Sequence, residues 1–263
     1  MTPRGTETVV QQFVADPAWE QVLQLQGLPG LRDPFSAISH LLGAVVFLVL
    51  GLLLLYRGRG NIARLLFLGI YVASCVTLFA LSGVYHMMEH GGLARRVLVR
   101  LDHAAIFIFI AGTFTPAHGL LFRGPWRWGM LLLIWSAAIA GVVLKAVFFD
   151  ELAEGLSLAL YLVLGWLGSA AAVMLARKYG YRVVRPLLWG GVAYSVGAIA
   201  EFCRWPVLVA GVIHPHEVFH VAALVGAFLH WRFVWQFATG EVRVPKMTGF
   251  AHQVRGGPFP PNG

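Results

Sequence analysis

Apolar residues in this chain are gathered into long runs separated by short polar punctuation, with neither strand alternation nor the narrow stripe of a soluble helix. Seven such runs, near 35–56, 63–87, 101–122, 128–148, 155–176, 187–205 and 215–237, reach the roughly 20 residues needed to cross the hydrocarbon core of a bilayer. Lipid offers backbone groups no hydrogen-bond partner, so each run is expected to be helical. The expected fold class is therefore all-α, an integral membrane bundle of seven transmembrane helices. The stretches between runs are short, and no internal repeat or low-complexity block interrupts them, which makes consecutive helices antiparallel neighbours in one bundle.

The bundle is expected to occupy residues 35–238. Residues 1–34 form a polar, interfacial N-terminal segment in which "VVQQFV" and "WEQVLQL" carry apolar positions at helical spacing on either side of Pro17. The first run begins too far along, behind polar and acidic residues, to read as a signal peptide. Residues 239–263, which include "FAHQVRGGPFPPNG", are rich in Gly and Pro and are expected to be irregular.

Composition agrees with the pattern: 58% of the residues are hydrophobic and 12% charged, which excludes an ordinary water-soluble domain. The net charge of +8 does not point to nucleic acid, because the basic residues stand in loops beside the runs, as in "YRGRGNIAR", "ARRVLVR" and "ARKYGYRVVR". The lipid bilayer is the partner they fit. Cys75 and Cys203 fall in predicted spans and build no disulfide framework. Seven spans put the termini on opposite sides; the N-terminal face is called face A and the other face B. Of the 20 Lys and Arg residues, 7 lie on face A and 13 on face B, so the positive-inside bias alone makes face B cytoplasmic.

The polar residues inside the runs are not spread evenly. In "SGVYH", Ser82 and His86 stand one helical turn apart at the face A end of the second run. The third run opens on the same face with "RLDHAAIF", which brings Asp102 and His103 to that level. The seventh opens there with "HPHEVFH", where Pro215 suits a first helical position and His216 and His220 are spaced i, i+4. Three imidazoles from two helices, with an aspartate beside them, fit a zinc site with His86, His216 and His220 as ligands and an open position for water. Asp102 would orient or deprotonate that water, and Ser82 would hydrogen-bond a supporting group.

Other polar positions have blander readings. His40 stands near the same layer; His90 and His214 read as loop or interfacial residues. Lys145 and Glu201 also fall towards face A, and Glu201 with Arg204 at i, i+3 reads as an ion pair. Pro116 should kink the third helix, with Thr113 or Thr115 able to satisfy freed carbonyls. The small residues of "WSAAIAG" and "GWLGSAAA" read as close helix packing.

"SGVYH", "LDHAAIFIFIAGTFTP" and "HEVFH", with "AISHLLGA" in the first run, resemble the signature blocks of the haemolysin III branch of the progestin and adiponectin receptor family. The resemblance runs from about Pro34 to Trp235 and leaves both tails uncovered. It implies a seven-helix membrane protein with zinc held by His86, His216 and His220 and with Asp102 and Ser82 matching the family's Asp and Ser; the plasma (inner) membrane is the expected location. It also implies a link to membrane hydrolases such as alkaline ceramidases, and hence a membrane lipid as substrate or ligand. The resemblance places the N-terminus and zinc on the cytoplasmic side, opposite to the charge count. Three functions stay open: a zinc-dependent hydrolase of a lipid amide or ester, a receptor or membrane-homeostasis sensor with structural zinc, and a haemolytic or pore-forming protein. The spans carry few charged residues to line a pore, which argues against the last.

Overall fold

The computed structural model describes residues 31–89 and 91–240. Within them the chain forms eight α-helices and no β-strand: α1 (Pro34–Gly58), α2 (Ile62–Met87), α3 (Leu93–Leu121), α4 (Pro125–Val147), α5 (Glu154–Trp166), α6 (Ser169–Tyr179), α7 (Tyr181–Phe202) and α8 (Pro215–Trp235). Helices α5 and α6 together make one membrane-length element, so seven spans are present, and this is a multi-pass integral membrane protein. The segments expected to be interfacial helices and an irregular tail lie almost wholly outside the described residues.

Local chemistry sets the helix starts. Pro34, Pro125 and Pro215 stand in the first turn of α1, α4 and α8, where a missing N–H costs nothing and the fixed φ is already helical. The Asn61 side chain caps α2 by accepting from Arg64 N at 2.9 Å. Helix α3 begins eight residues before the expected span, because Arg95, Arg96 and Arg100 sit on turns that project beyond the apolar stretch. The hydropathy boundary marks the membrane there, and the helix continues past it. Pro116 leaves α3 one continuous helix; Thr113 and Thr115 hydroxyls bond back to Ile110 O and Ala111 O at 2.7 and 2.9 Å.

Helices α1 to α4 pack in chain order; α5 touches α3, α4 and α7, and α6 lies on α7. Helix α8 packs on α7 and returns to α1, closing the ring, and also reaches α3. Large apolar side chains including Leu54, Leu68, Tyr71, Phe233 and Phe237 fill the face B half. The outer face of α1 presents Leu42, Val45, Val49 and Leu52 outwards, as a lipid-facing surface must. Close approach is achieved with glycine: a Cβ on Gly112 would run into the Ser74 side chain, and one on Gly141 into the Phe107 ring. Towards face A the apolar filling gives way to polar groups and a cavity.

Candidate metal centre

Three helix ends converge on face A: the last turn of α2, the early turns of α3 and the first turns of α8. The i, i+4 spacing on α8 turns His216 and His220 towards the end of α2, where His86 meets them. One ring nitrogen from each of the three lies within 4.8 Å of the others. The ring centroids are 4.9 Å apart for His86 and His216, 4.8 Å for His86 and His220, and 4.5 Å for His216 and His220. His86 and His220 are buried and His216 is partly so.

The far side of two rings is tied to a carboxylate. His86 Nδ1 donates to Asp33 Oδ2 at 3.0 Å, and His216 Nδ1 donates to Glu201 Oε1 at 3.3 Å. A carboxylate only accepts, so each Nδ1 carries the proton and each Nε2 is left with a lone pair. Those two Nε2 atoms face each other 3.1 Å apart. Two lone pairs at that distance repel unless a cation shares them. A tetrahedral ion with nitrogens at about 2.0–2.1 Å would hold two of them about 3.3 Å apart, close to what is found. His220 adds a third buried donor, and its Nδ1 has no hydrogen-bond partner among the described residues. The group could hold a metal ion, and its all-imidazole chemistry with carboxylate backing suits a borderline-soft divalent one.

Asp33 is itself clamped. Its carboxylate accepts from Arg95 at 2.9 Å, its backbone N–H donates to His86 O at 3.1 Å, and the Arg95 guanidinium lies 4.6 Å from the centre of the Tyr85 ring and also donates to Met88 O. Burial works to raise the Asp33 carboxyl, but the hydrogen bonds from His86 and Arg95 and the Arg95 charge outweigh it and bring it down to about 2. The residue is thus an anion when it holds His86. Glu217, between the two α8 histidines, is also buried; it accepts from Ser36 Oγ at 2.8 Å and His214 N at 3.0 Å, locking the start of α8 to α1.

Ser82 and Asp102 are both buried, lie side by side, and line a cavity of about 460 Å³ that also reaches His216 and His220. The wall is mainly apolar, with Leu78, Phe109, Leu162, Leu175 and Leu187 among its members. His103 is elsewhere engaged: its Nδ1 bonds Val99 O at 2.8 Å, and Tyr161 donates to its carbonyl at 3.0 Å. His40 stacks on His220 with centroids 3.7 Å apart and planes 8° from parallel, and both its ring nitrogens lack partners among the described residues. His214 caps α8 and accepts from Gly211 N at 3.0 Å, and His90 lies outside the described residues.

Sequence reasoning missed Asp33 altogether and assigned Glu201 only to Arg204. The carboxylate does meet Arg204, at 3.3 Å, but the same Oε1 holds His216. Arg204 is shared in turn with Glu154, at 2.8 and 3.0 Å. The available signal for Asp33 was its position beside Pro34, an acid at a span end on the histidine face.

A seven-helix membrane bundle with a buried three-histidine group at one end is the class these features define. The family model described as Haemolysin-III related matches residues 31–231, and the chain belongs to that family, the haemolysin III branch of the progestin and adiponectin receptors. It is 31% identical to Hemolysin-3 of Bacillus cereus over 194 residues, 73% of this chain and 85% of the relative. It is 29% identical to Heptahelical transmembrane protein ADIPOR2 of Oryza sativa subsp. japonica, over 62% of this chain and 77% of that one. Similarity extends at 22% identity to Monocyte to macrophage differentiation factor of Homo sapiens, over 73% and 79%.

Proposed function

We propose that this protein is a zinc-dependent hydrolase of an amide or ester bond in a membrane lipid. The observation that carries the reading is that His216 and His220, two of the three grouped histidines, line a largely apolar cavity together with Asp102, so that metal, carboxylate and acyl chain would share one space. Pockets of this kind, apolar with a few convergent polar groups, are where small apolar ligands bind.

His86, His216 and His220 would hold the ion, with Asp33 and Glu201 fixing the first two rings by their Nδ1 protons. When bound, zinc supplies Lewis acidity towards a carbonyl and acidifies water. Asp102 takes the proton of the attacking water on a carboxylate oxygen and returns it to the departing nitrogen or oxygen. Ser82, beside it, holds the carboxylate in place or donates to the developing oxyanion. The apolar wall takes the acyl chain and keeps bulk water from the reacting atoms.

The test is Asp102→Asn in purified protein, with turnover of a lipid amide or ester measured beside bound zinc. Turnover is expected to fall at least about 100-fold, the scale of general acid–base catalysis, with zinc retained. Undiminished turnover would sink the reading. A second reading, a receptor or homeostasis sensor with structural zinc, gains from one observation: the His40 ring, stacked on His220 with both nitrogens unpartnered among the described residues, stands beside the three-histidine group and could close the site by shifting towards it.

A further inference from the structure

Lys145 is a cation on the cavity wall that the metal centre does not account for. It stands in the last turn of α4, is only 5% exposed, and lines the cavity in company with Asp102, His103 and Tyr161. A lysine near a span end ordinarily extends its ammonium to the headgroup layer. This one turns inwards instead. Among the described residues its ammonium has no hydrogen bond and no salt bridge; it meets the face of the Phe149 ring, 4.9 Å from the centroid.

No acid among the described residues makes a salt bridge with it, although Asp102, Glu154 and Glu201 line the same cavity. Asp150 holds Arg100 at 2.6 Å, Glu154 takes both its contacts from Arg204, and Glu201 is divided between Arg204 and His216. No other Lys or Arg lines the cavity. An ammonium turned into a largely apolar cavity without a direct ion pair is costly to keep, and a charge held there marks a ligand-binding position.

We propose that Lys145 is the counter-ion for an anionic head group, a carboxylate or a phosphate, on the lipid that occupies this cavity. The assignment rests on the hydrolase reading for the position of the scissile bond. With the reacting carbonyl at the histidine group and the acyl chain along the apolar wall, the head group falls on the face A side, where Lys145 waits. An acylated amino acid or a lysophospholipid has this design: one chain, one amide or ester, and an anion a few bonds away. A ceramide, neutral at its head, does not. Arg and Lys differ as anion receptors, but both keep the charge, so Lys145→Arg is the conservative variant and Lys145→Met the neutral one of similar length.

The experiment measures binding, separate from turnover, in neutral detergent. Tryptophan fluorescence, to which the cavity-lining Trp166 contributes, reports titration with N-dodecanoylglycine, monododecyl phosphate or uncharged dodecanol. The wild type is expected to bind one or both anions about tenfold or more tighter than dodecanol, the scale of a hydrogen bond to a charged group. Lys145→Met should lose that preference and Lys145→Arg largely keep it, and the tighter anion identifies the head group. A wild type that binds all three probes alike overturns the assignment, whether or not the variants fold, and so does a folded Lys145→Met that keeps the preference. Preference without any lipid hydrolysis would leave Lys145 assigned and remove the hydrolase reading. Hydrolysis without preference would do the reverse.

Discussion

Two carboxylates decide what the histidines can do. Asp33 and Glu201 hold the Nδ1 protons of His86 and His216, and without them either ring could turn or change tautomer. Replacing them with Asn and Gln keeps size but removes charge, and zinc affinity measured against a competing chelator should weaken by about 10–100-fold. His86→Ala and His220→Ala should instead abolish binding by elemental analysis, while His40→Ala should retain about one zinc per chain if the site keeps an open position. Loss of zinc in His40→Ala would favour the closed, structural site. The three histidines were legible in the sequence because helical spacing and span direction put three motifs at one level without any knowledge of packing. Asp33 was not legible, because its bond to His86 depends on how the residues ahead of α1 cross the end of α2. Glu201 was legible only in part: i, i+3 spacing reveals Arg204, but the bond to His216 crosses from α7 to α8.

At the scale of elements, hydropathy located all seven spans, since lipid imposes one rule on every one of them. What it could not locate were features set by neighbours. "GWLGSAAA" read as close packing, yet the chain leaves the helix at Leu167 and Gly168 to separate α5 from α6, and Gly165 and Gly168 stand on the cavity wall. Glycine lowers helix propensity without announcing a break as proline does, so the interruption is hidden in the sequence. A comparable hidden feature is the Ser36–Glu217 bond, which joins the starts of α1 and α8 across most of the chain. Glu217→Ala would leave the Ser36 hydroxyl and the His214 N–H without their acceptor, at a cost of about 1–3 kcal/mol for each unpaired group. Ser36→Ala removes one neutral partner, although it strips a donor from the carboxylate. Thermal melting in detergent should therefore rank wild type above Ser36→Ala, and that above Glu217→Ala. Equal melting of all three would show that the α1–α8 contact does not depend on this bond.

The whole molecule is asymmetric along the membrane normal: the three-histidine group and its carboxylates stand at face A, apolar side chains predominate towards face B, and the cavity runs between the two. Of the buried polar side chains among the described residues, Asp33, Ser36, His40, Ser82, His86, Asp102, Glu217 and His220 gather towards face A, whereas Thr115, His118 and His230 lie towards face B. The cavity runs from His216 and His220 down to Ala171, Ala172 and Leu175 on α6, so on the proposed hydrolase reading the depth of this far end would set the longest acyl chain that fits. Ala172 is 3% exposed and lines that end, on a different helix from every proposed zinc ligand. Ala172→Phe would fill part of the space while leaving His86, His216, His220 and Asp102 untouched. Overpacking costs about 1–3 kcal/mol, so zinc content and melting must first show an intact bundle. In an intact variant, an oleoyl substrate should lose turnover through a raised KM while an octanoyl one is spared, because only the longer chain reaches α6. An equal loss for both chains would mean that the substrate does not lie along the cavity, and the acyl group would then have to be sought on the lipid-facing surface of the bundle.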